Sequence, residues 1–246
     1  MSKLLPDGMN AVKISDYKFT DLDKYVNEDR KENPYFHSYK FSTCFVGGSS
    51  SGKTTTMINM FDQKIYDPDL IIYCAPSETL QSGLVNNFIK RHKAIAVELN
   101  IDMDFMDLYR QFQLIHKKKP QLTKIIIFDD FQAFVKNPMF NKMLNTLLSN
   151  ASRYNANMIL LCQTLSNIDT KISSNINVWA IFCRYVPESQ IKVVLKNRSN
   201  VDLSNEDMQR LITTLRKAKN PHLPLIVNSL APIDYQLIYE NYALAF

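Results

Sequence analysis

The stretch Gly47-Gly48-Ser49-Ser50-Ser51-Gly52-Lys53-Thr54 decides the fold of this 246-residue chain. It matches the pattern G-x-x-x-x-G-K-[ST], in which a glycine-rich turn presents backbone N–H groups to a phosphate chain. The chain has only five glycines, and three of them lie in this octapeptide. A glycine- and serine-rich surface turn is the alternative explanation. The concentration of a scarce residue favours a nucleotide-binding loop instead.

The sequence on either side of this loop fits a strand, a loop and a helix in succession. The apolar run 41–46 predicts a buried parallel strand that ends at the first glycine. The residues after Lys53 are compatible with a helix that has Met57, Ile58 and Phe61 on its apolar face. The N-terminus of such a helix favours bound anions, so we expect ATP phosphates to bind here.

We assign each residue of the loop a predicted role in binding ATP and Mg²⁺. Lys53 is expected to reach the β- and γ-phosphates, and the Thr54 hydroxyl is expected to ligate Mg²⁺. The predicted nucleotide contacts are Gly47, Gly48, Ser49, Ser50, Ser51, Gly52, Lys53, Thr54 and Thr55.

Length and composition predict one α/β domain. The chain is 46% hydrophobic, which suffices for a full core, yet no apolar run reaches the roughly 18 residues of a membrane helix. The first residues lack an apolar signal core, which argues against secretion. The four cysteines form no Cys-x-x-Cys pair, so we expect reduced thiols in a cytosolic setting. The net charge of +5 comes with local basic clusters and permits a DNA partner without requiring one.

Apolar, β-rich runs alternate with helix-compatible segments along the chain, which predicts a parallel central sheet with helices on both faces. The predicted main strands are 41–46, 70–75, 124–129, 158–163 and 178–184, with shorter candidates at 94–97 and 223–227. A helix is predicted to begin at Asn137-Pro138, where asparagine can cap and proline suits the first turn. We divide the chain into an N-terminal arm (1–38), an ATPase domain (39–228) and a C-terminal tail (229–246) that is expected to contact a neighbouring subunit.

Two carboxylates follow the predicted strand 124–129. Phosphoryl transfer needs a carboxylate at a strand end to hold Mg²⁺, and Asp129 fits this role. Asp130 is suited to polarise the attacking water as general base. A pair of aspartates that merely enters a turn is the alternative. At the end of the next strand, Gln163 is predicted to hydrogen-bond the attacking water or the γ-phosphate, unless it only caps the strand.

Arg153 precedes that strand, at the end of the helix predicted to start near Pro138. A cation there can simply compensate the helix dipole. Alternatively, Arg153 is an arginine finger that reaches the nucleotide of the next subunit, which requires a ring. The residues alone leave both interpretations open.

Taken together, these features resemble the FtsK–HerA superfamily of P-loop ATPases, and specifically the A32-like packaging ATPases of large DNA viruses and virophages. The resemblance covers roughly residues 40–185. It rests on the loop 47–54, the strand with Asp129-Asp130, the segment Ser152-Arg153-Tyr154-Asn155 and Gln163. Two positions depart from the pattern, because the superfamily commonly has Asp-Glu in place of Asp129-Asp130 and related members often have Arg-His in place of Arg153-Tyr154.

The resemblance implies an α/β P-loop NTPase with the additional-strand order 5-1-4-3-2. It also implies a homo-oligomeric ring, expected to be a hexamer, that drives double-stranded DNA into a preformed capsid. ATP bound at Lys53 would be hydrolysed with help from the neighbour's Arg153. The implied partners are double-stranded DNA, further copies of the chain, and capsid or vertex proteins. A membrane is not among the expected partners. The implied location is the viral factory in the host cytoplasm, with association with the virion.

Two other functions fit parts of the sequence. The segment 129–134 faintly resembles thymidine-kinase-type nucleoside kinases, but those enzymes usually hold a zinc-bound lasso with Cys-x-x-Cys pairs that this chain lacks. A non-catalytic nucleotide-binding assembly factor is the second alternative. The presence of Lys53, Thr54, Asp129 and Asp130 argues against a dead site.

Overall fold

The structure is a computed structural model that describes residues 41–64, 66–166, 168–199 and 201–230, together with the backbone of 237–238. The predicted N-terminal arm therefore lies outside the described residues, as does most of the predicted C-terminal tail. Within that tail, Leu237–Ile238 pairs with a strand of the same chain as an additional edge strand. The domain boundaries and the tail's contact with a neighbour stay predictions.

One sheet of eight strands forms the centre of the described part of the chain. The strands are β1 (Ser42–Val46), β2 (Leu70–Ala75), β3 (Ile95–Glu98), β4 (Lys124–Asp129), β5 (Ala156–Cys162), β6 (Val178–Ile181), β7 (Leu225–Asn228) and β8 (Leu237–Ile238). The helices are α1 (Lys53–Asp62), α2 (Ser77–Gln81), α3 (Gly83–Arg91), α4 (Phe105–Lys118), α5 (Pro138–Asn150), α6 (Thr170–Ser174), α7 (Glu188–Arg198) and α8 (Asn205–Lys217).

The strand order is β3-β2-β4-β5-β1-β6-β7-β8. Strands β1 to β6 pair in parallel, whereas β7 and β8 add antiparallel pairs at one edge. The main strands predicted from sequence are β6, β1, β5, β4 and β2 in spatial order, so the predicted order 5-1-4-3-2 is confirmed. The shorter candidates at 94–97 and 223–227 correspond to β3 and β7.

The core lies on both faces of this sheet because side chains alternate along each strand. On β4, for example, Ile126 and Phe128 join the cluster beneath α4, α5, α7 and α8. Ile125 and Ile127 join the opposite cluster, which contains the apolar sides of α1 and α3. The predicted helices on both faces are therefore confirmed.

The chain after β6 differs from the predicted strand 178–184. The amide of Phe182 still donates to the Val46 carbonyl (2.9 Å), but the amide of Tyr185 turns back to the Phe182 carbonyl (2.8 Å). The strand accordingly ends at Ile181, and Cys183–Tyr185 forms a 3₁₀ turn. The prediction of one continuous strand was wrong there because local turn bonds replace sheet pairing. Cys183 is buried in this turn, and Cys44, Cys74 and Cys162 are buried in strands, all as free thiols.

The helix predicted to begin at Asn137-Pro138 is α5. The Asn137 side-chain oxygen accepts from the amides of Met139 (2.9 Å) and Phe140 (3.3 Å), and Pro138 occupies the first helical position. The helix ends at Asn150, so the expectation that Arg153 stands at its end was wrong. Arg153 lies in the turn that follows, because the chain has to reverse there before it enters β5.

No helix in the described ranges is long and apolar enough to span a bilayer.

Candidate active site

The predicted phosphate-binding loop connects β1 to α1 at the carboxyl edge of the parallel strands. Gly52 has a φ of +98° at the N-cap of α1, a left-handed conformation that glycine adopts without strain. Gly47 is tightly enclosed, because a Cβ there would lie 2.5 Å from Ser51 Oγ and 2.9 Å from Phe182 Cβ. Gly52 is thus favoured by its backbone conformation and Gly47 by the lack of room for a side chain, as suits a loop that wraps closely around a phosphate.

Lys53 folds back across the loop. Its ammonium donates to the carbonyls of Gly47 (2.6 Å) and Gly48 (3.0 Å). Burial lowers the pKa of Lys53, while the negative charge of Asp129 raises it. The two hydrogen bonds to carbonyls hold the ammonium at the loop. Phosphate oxygens can replace these carbonyls as acceptors.

Asp129 is the last residue of β4 and is buried beside the start of α1. The Thr54 hydroxyl donates to Asp129 Oδ2 (3.3 Å), so the two predicted Mg²⁺ ligands lie together. Burial raises the pKa of Asp129, and the hydrogen bond from Tyr73 opposes that rise. A hydroxyl and a carboxylate oxygen are hard donors that suit Mg²⁺, and the pair therefore fits this ion.

Asp130 follows Asp129 in a different environment. It is exposed, and its φ of +51° is a left-handed conformation that costs a non-glycine residue about 1–2 kcal/mol. Gln163 Nε2 donates to Asp130 Oδ1 (3.2 Å), and Thr79 Oγ1 lies 3.5 Å from Oδ2. The structure thus brings the predicted general base, Asp130, into direct contact with the predicted sensor residue, Gln163. This contact is separate from the hydrogen bond between Thr54 and Asp129.

Two polar residues that were not predicted from the sequence, Tyr73 and Gln132, support this arrangement. The Tyr73 hydroxyl on β2 donates to Asp129 Oδ2 over 2.6 Å. With its amide oriented to satisfy both groups, Gln132 Oε1 accepts from the amides of Gln163 (2.6 Å) and Thr164 (2.9 Å). Gln132 lies just after the aspartate pair and was detectable by that position. Tyr73 was not, since it stands inside an apolar strand where an aromatic residue ordinarily indicates packing.

Arg153 does not join this group within one chain. It precedes β5, whereas Gln163 follows β5, and a strand of 7 residues spans about 20 Å. Arg153 is exposed at the amino edge of the sheet, and the loop lies at the carboxyl edge. The turn that carries it is nevertheless well held, because Asn155 Nδ2 donates to the carbonyls of Gln121 (3.2 Å) and Leu122 (3.1 Å).

Residues 30–237 match the protein family described as the poxvirus A32 protein. The chain belongs to this family. The resemblance that was inferred from the loop, the aspartate pair and the glutamine is thereby confirmed. No curated protein sequence matched the chain.

Solved structures show the same fold as this A32 family member. One is the genome-packaging NTPase B204 of Sulfolobus turreted icosahedral virus 2 with ATPγS, at 15% identity and a TM-score of 0.53, with 85% of this chain and 98% of B204 covered. Another is B204, the DNA-packaging ATPase from Sulfolobus turreted icosahedral virus, at 14% identity and a TM-score of 0.54, with 81% and 96% covered. Identities this low establish similarity of fold alone.

A further similar structure contains ATPases 2 and 3 of EssC from Geobacillus thermodenitrificans, at 12% identity and a TM-score of 0.55. The match covers 81% of this A32 family member but only 38% of that chain. The chain therefore corresponds to a part of the EssC fragment, and to nearly all of B204.

Proposed function

We propose that this A32 family member is an ATPase that moves double-stranded DNA into a viral capsid. The observation that carries the proposal is the convergence of Lys53, Thr54, Asp129, Asp130 and Gln163 at the carboxyl edge of one parallel sheet. These residues combine a phosphate-binding loop, a pair of oxygen ligands for Mg²⁺ and a carboxylate beside an amide. Membership in the A32 family and the fold shared with B204 support the link to packaging.

The geometry supports hydrolysis with ATP in the loop 47–54. The loop amides and the Lys53 ammonium would bind the β- and γ-phosphates, while Thr54 and Asp129 would hold Mg²⁺. When bound, Mg²⁺ neutralises charge on the phosphate oxygens. Asp130, oriented by Gln163, would accept a proton from water as the water oxygen attacks the γ-phosphorus. The bond from that phosphorus to the bridging oxygen breaks, and ADP leaves with the bridging oxygen.

The wider proposal concerns the assembly. Arg153 lies too far from its own loop to act there, which is compatible with a finger that completes the site of an adjacent copy in a ring, expected to be a hexamer. We further propose that the ring contacts double-stranded DNA and capsid or vertex proteins. Its location would be the viral factory of the host cell and the virion.

The decisive experiment is steady-state ATP hydrolysis with and without double-stranded DNA. We expect DNA to stimulate turnover, and both Lys53→Ala and Asp130→Asn to lower turnover at least about 100-fold, since each removes transition-state stabilisation or proton transfer. Lys142→Ala, at an exposed position on α5, is the matched control and should behave like the unmodified protein.

Each result separates the proposed motor from its alternatives. Full turnover by Lys53→Ala would refute the site. Transfer of phosphate to a nucleoside, without any response to DNA, would indicate a kinase. Tight ATP binding with no hydrolysis in any assembly state would indicate a non-catalytic assembly factor.

A further inference from the structure

An aromatic pair lies on the flank of the phosphate-binding loop that the proposed hydrolysis chemistry does not use. Tyr185 follows β6, and a Cβ placed on Gly48 would lie 3.7 Å from Tyr185 Cβ. His222 precedes β7, and a Cβ placed on Gly52 would lie 3.4 Å from His222 Cβ. Two segments that are distant in sequence thus bring an aromatic ring to each end of the same loop.

The two rings are oriented as a pair. Their planes differ by 14°, and their centroids lie 6.2 Å apart. Tyr185 is half-buried, and His222 is exposed. His222 Nδ1 lies 3.0 Å from the Ser51 carbonyl oxygen, so its ring is fixed to the loop rather than free to rotate into solvent. The result is an aromatic surface that is anchored at the rim of the phosphate site.

The topology sets the direction in which a nucleotide would lie. β1 is flanked by β5 on one side and by β6 on the other. Asp130 and Gln163 follow β4 and β5, so the γ-phosphate must face that side to be attacked. The α-phosphate and its nucleoside then extend along the N-terminus of α1 toward the end of β6 and the start of β7, where Tyr185 and His222 lie.

We propose that Tyr185 and His222 form a stacking surface for the base of the bound nucleoside triphosphate. Aromatic faces bind bases through stacking, which every base can provide. The pair therefore supplies affinity for the nucleoside rather than discrimination between adenine and guanine. This inference rests on the proposed function only through the binding of a nucleotide at the loop 47–54.

The test compares a probe that has a base with one that has none. Equilibrium binding of the non-hydrolysable ATP analogue AMPPNP and of inorganic triphosphate, each with Mg²⁺, is measured for the unmodified chain and its variants. We expect Tyr185→Ala and His222→Ala each to weaken AMPPNP binding about tenfold, as loss of one stacking partner predicts, while triphosphate affinity changes less than about twofold. Tyr185→Phe keeps the ring and should bind both probes like the unmodified chain.

Two outcomes would overturn the inference. Equal losses for both probes would mean that the rings only brace the loop, and an unchanged AMPPNP affinity would mean that the base lies elsewhere. If Tyr185→Ala does not fold, Tyr185→Leu retains much of the side-chain volume without a π face. It should likewise weaken AMPPNP binding and leave triphosphate binding nearly unchanged. Lys53→Ala should abolish binding of both AMPPNP and triphosphate. Base-dependent binding without any hydrolysis would refute the proposed ATPase and leave the stacking surface intact.

Discussion

At the scale of single residues, Asp129 must stay ionised in a buried position if it is to hold the proposed Mg²⁺. Burial favours its protonated form, and the hydrogen bonds from Tyr73 and Thr54 together with the charge of Lys53 favour the carboxylate. The Tyr73 hydroxyl lies closest to Asp129, at 2.6 Å, and is itself fully buried. In the proposed Mg²⁺ site, Tyr73 would therefore act through Asp129, as a positioning residue.

Tyr73→Phe removes that hydroxyl and keeps the ring in the core. We expect the pKa of Asp129 to rise further, because one interaction that stabilises the carboxylate is lost. A proton competes with Mg²⁺ for the carboxylate, so binding of the ion should fail at a higher pH than in the unmodified chain. The acidic limb of the pH–rate profile should move to higher pH, and the Mg²⁺ concentration for half-maximal turnover should rise several-fold, about 2–10-fold for the loss of a charge-assisted hydrogen bond.

Tyr66→Phe is the matched control for Tyr73→Phe. It deletes a hydroxyl from another buried tyrosine, which packs against Phe41 and Phe61 before β2 begins. Its pH–rate profile should coincide with that of the unmodified chain. An unshifted acidic limb in Tyr73→Phe would show that Asp129 does not depend on the tyrosine for its charge.

The contrast between Tyr73 and the aspartates shows which site residues a sequence pattern can predict and which it cannot. Lys53, Thr54, Asp129, Asp130 and Gln163 could be predicted because each is a polar residue in the loop or at the end of an apolar strand. Tyr73 could not, since its role depends on the register between β2 and β4 and not on its own neighbours in sequence.

At the scale of elements, the turn between α5 and β5 is stabilised by a lysine at the start of β4. Lys124 is buried, and its ammonium donates to the carbonyls of Lys119 (3.0 Å), Leu122 (2.7 Å) and Tyr154 (3.3 Å). Burial lowers the pKa of Lys124 from 10.5 to about 8, and the charge of Asp69 only partly opposes this. An ionisable group thus links the turn that carries Arg153 to the loop before β4.

This buried lysine predicts a pH-dependent stability. Between pH of about 8 and the ordinary lysine pKa, the unfolded chain binds a proton that the folded chain does not, so the free energy of unfolding should increase as pH rises through that window. Over two pH units we expect about 1–2 kcal/mol, because each pKa unit corresponds to about 1.4 kcal/mol and partial solvation reduces the effect. Urea unfolding at pH 7.5 and 9.5 measures the difference.

Lys124→Met should abolish that increment, whereas Lys142→Met on the exposed side of α5 should retain it. The same increment in both variants would assign the pH dependence to another group. The strand that begins at Lys124 was predicted from its apolar run, but the buried ammonium was not. Its partners are carbonyls of the loop before β4 and of the turn before β5, two segments that only the folded chain brings together.

At the scale of the whole molecule, the strand order could be predicted from sequence because apolar runs of strand length alternated with helical segments and a family resemblance supplied their order. The added antiparallel edge was only partly predictable. β7 appeared as a short apolar run, whereas β8 falls in the segment that was assigned to a tail. Its pairing depends on the edge left open by β7, which is a property of the folded sheet.

The arrangement of the site has a consequence for assembly, because the sheet separates its two halves. Lys53 and Asp130 lie at the carboxyl edge, and Arg153 lies at the amino edge, about the length of a strand away. Arg153 can therefore contact a γ-phosphate bound at the carboxyl edge only if the two belong to different copies of the chain. If the proposed ring is correct, one variant that lacks the loop lysine and another that lacks the arginine should complement each other.

We therefore expect Arg153→Ala and Lys53→Ala to be nearly inactive separately and to recover activity when mixed before assembly. At an equal ratio, about a quarter of the interfaces pair an intact Lys53 with a neighbour's intact Arg153, so independent sites would restore about a quarter of full ATP turnover. Mixing Lys53→Ala with Asp130→Asn is the matched control. These two residues belong to one subunit's half of the site, so every copy in that mixture carries a defective half and no interface should recover activity. Absence of recovery in the first mixture, with normal assembly by light scattering, would show that Arg153 acts within its own chain or not at all.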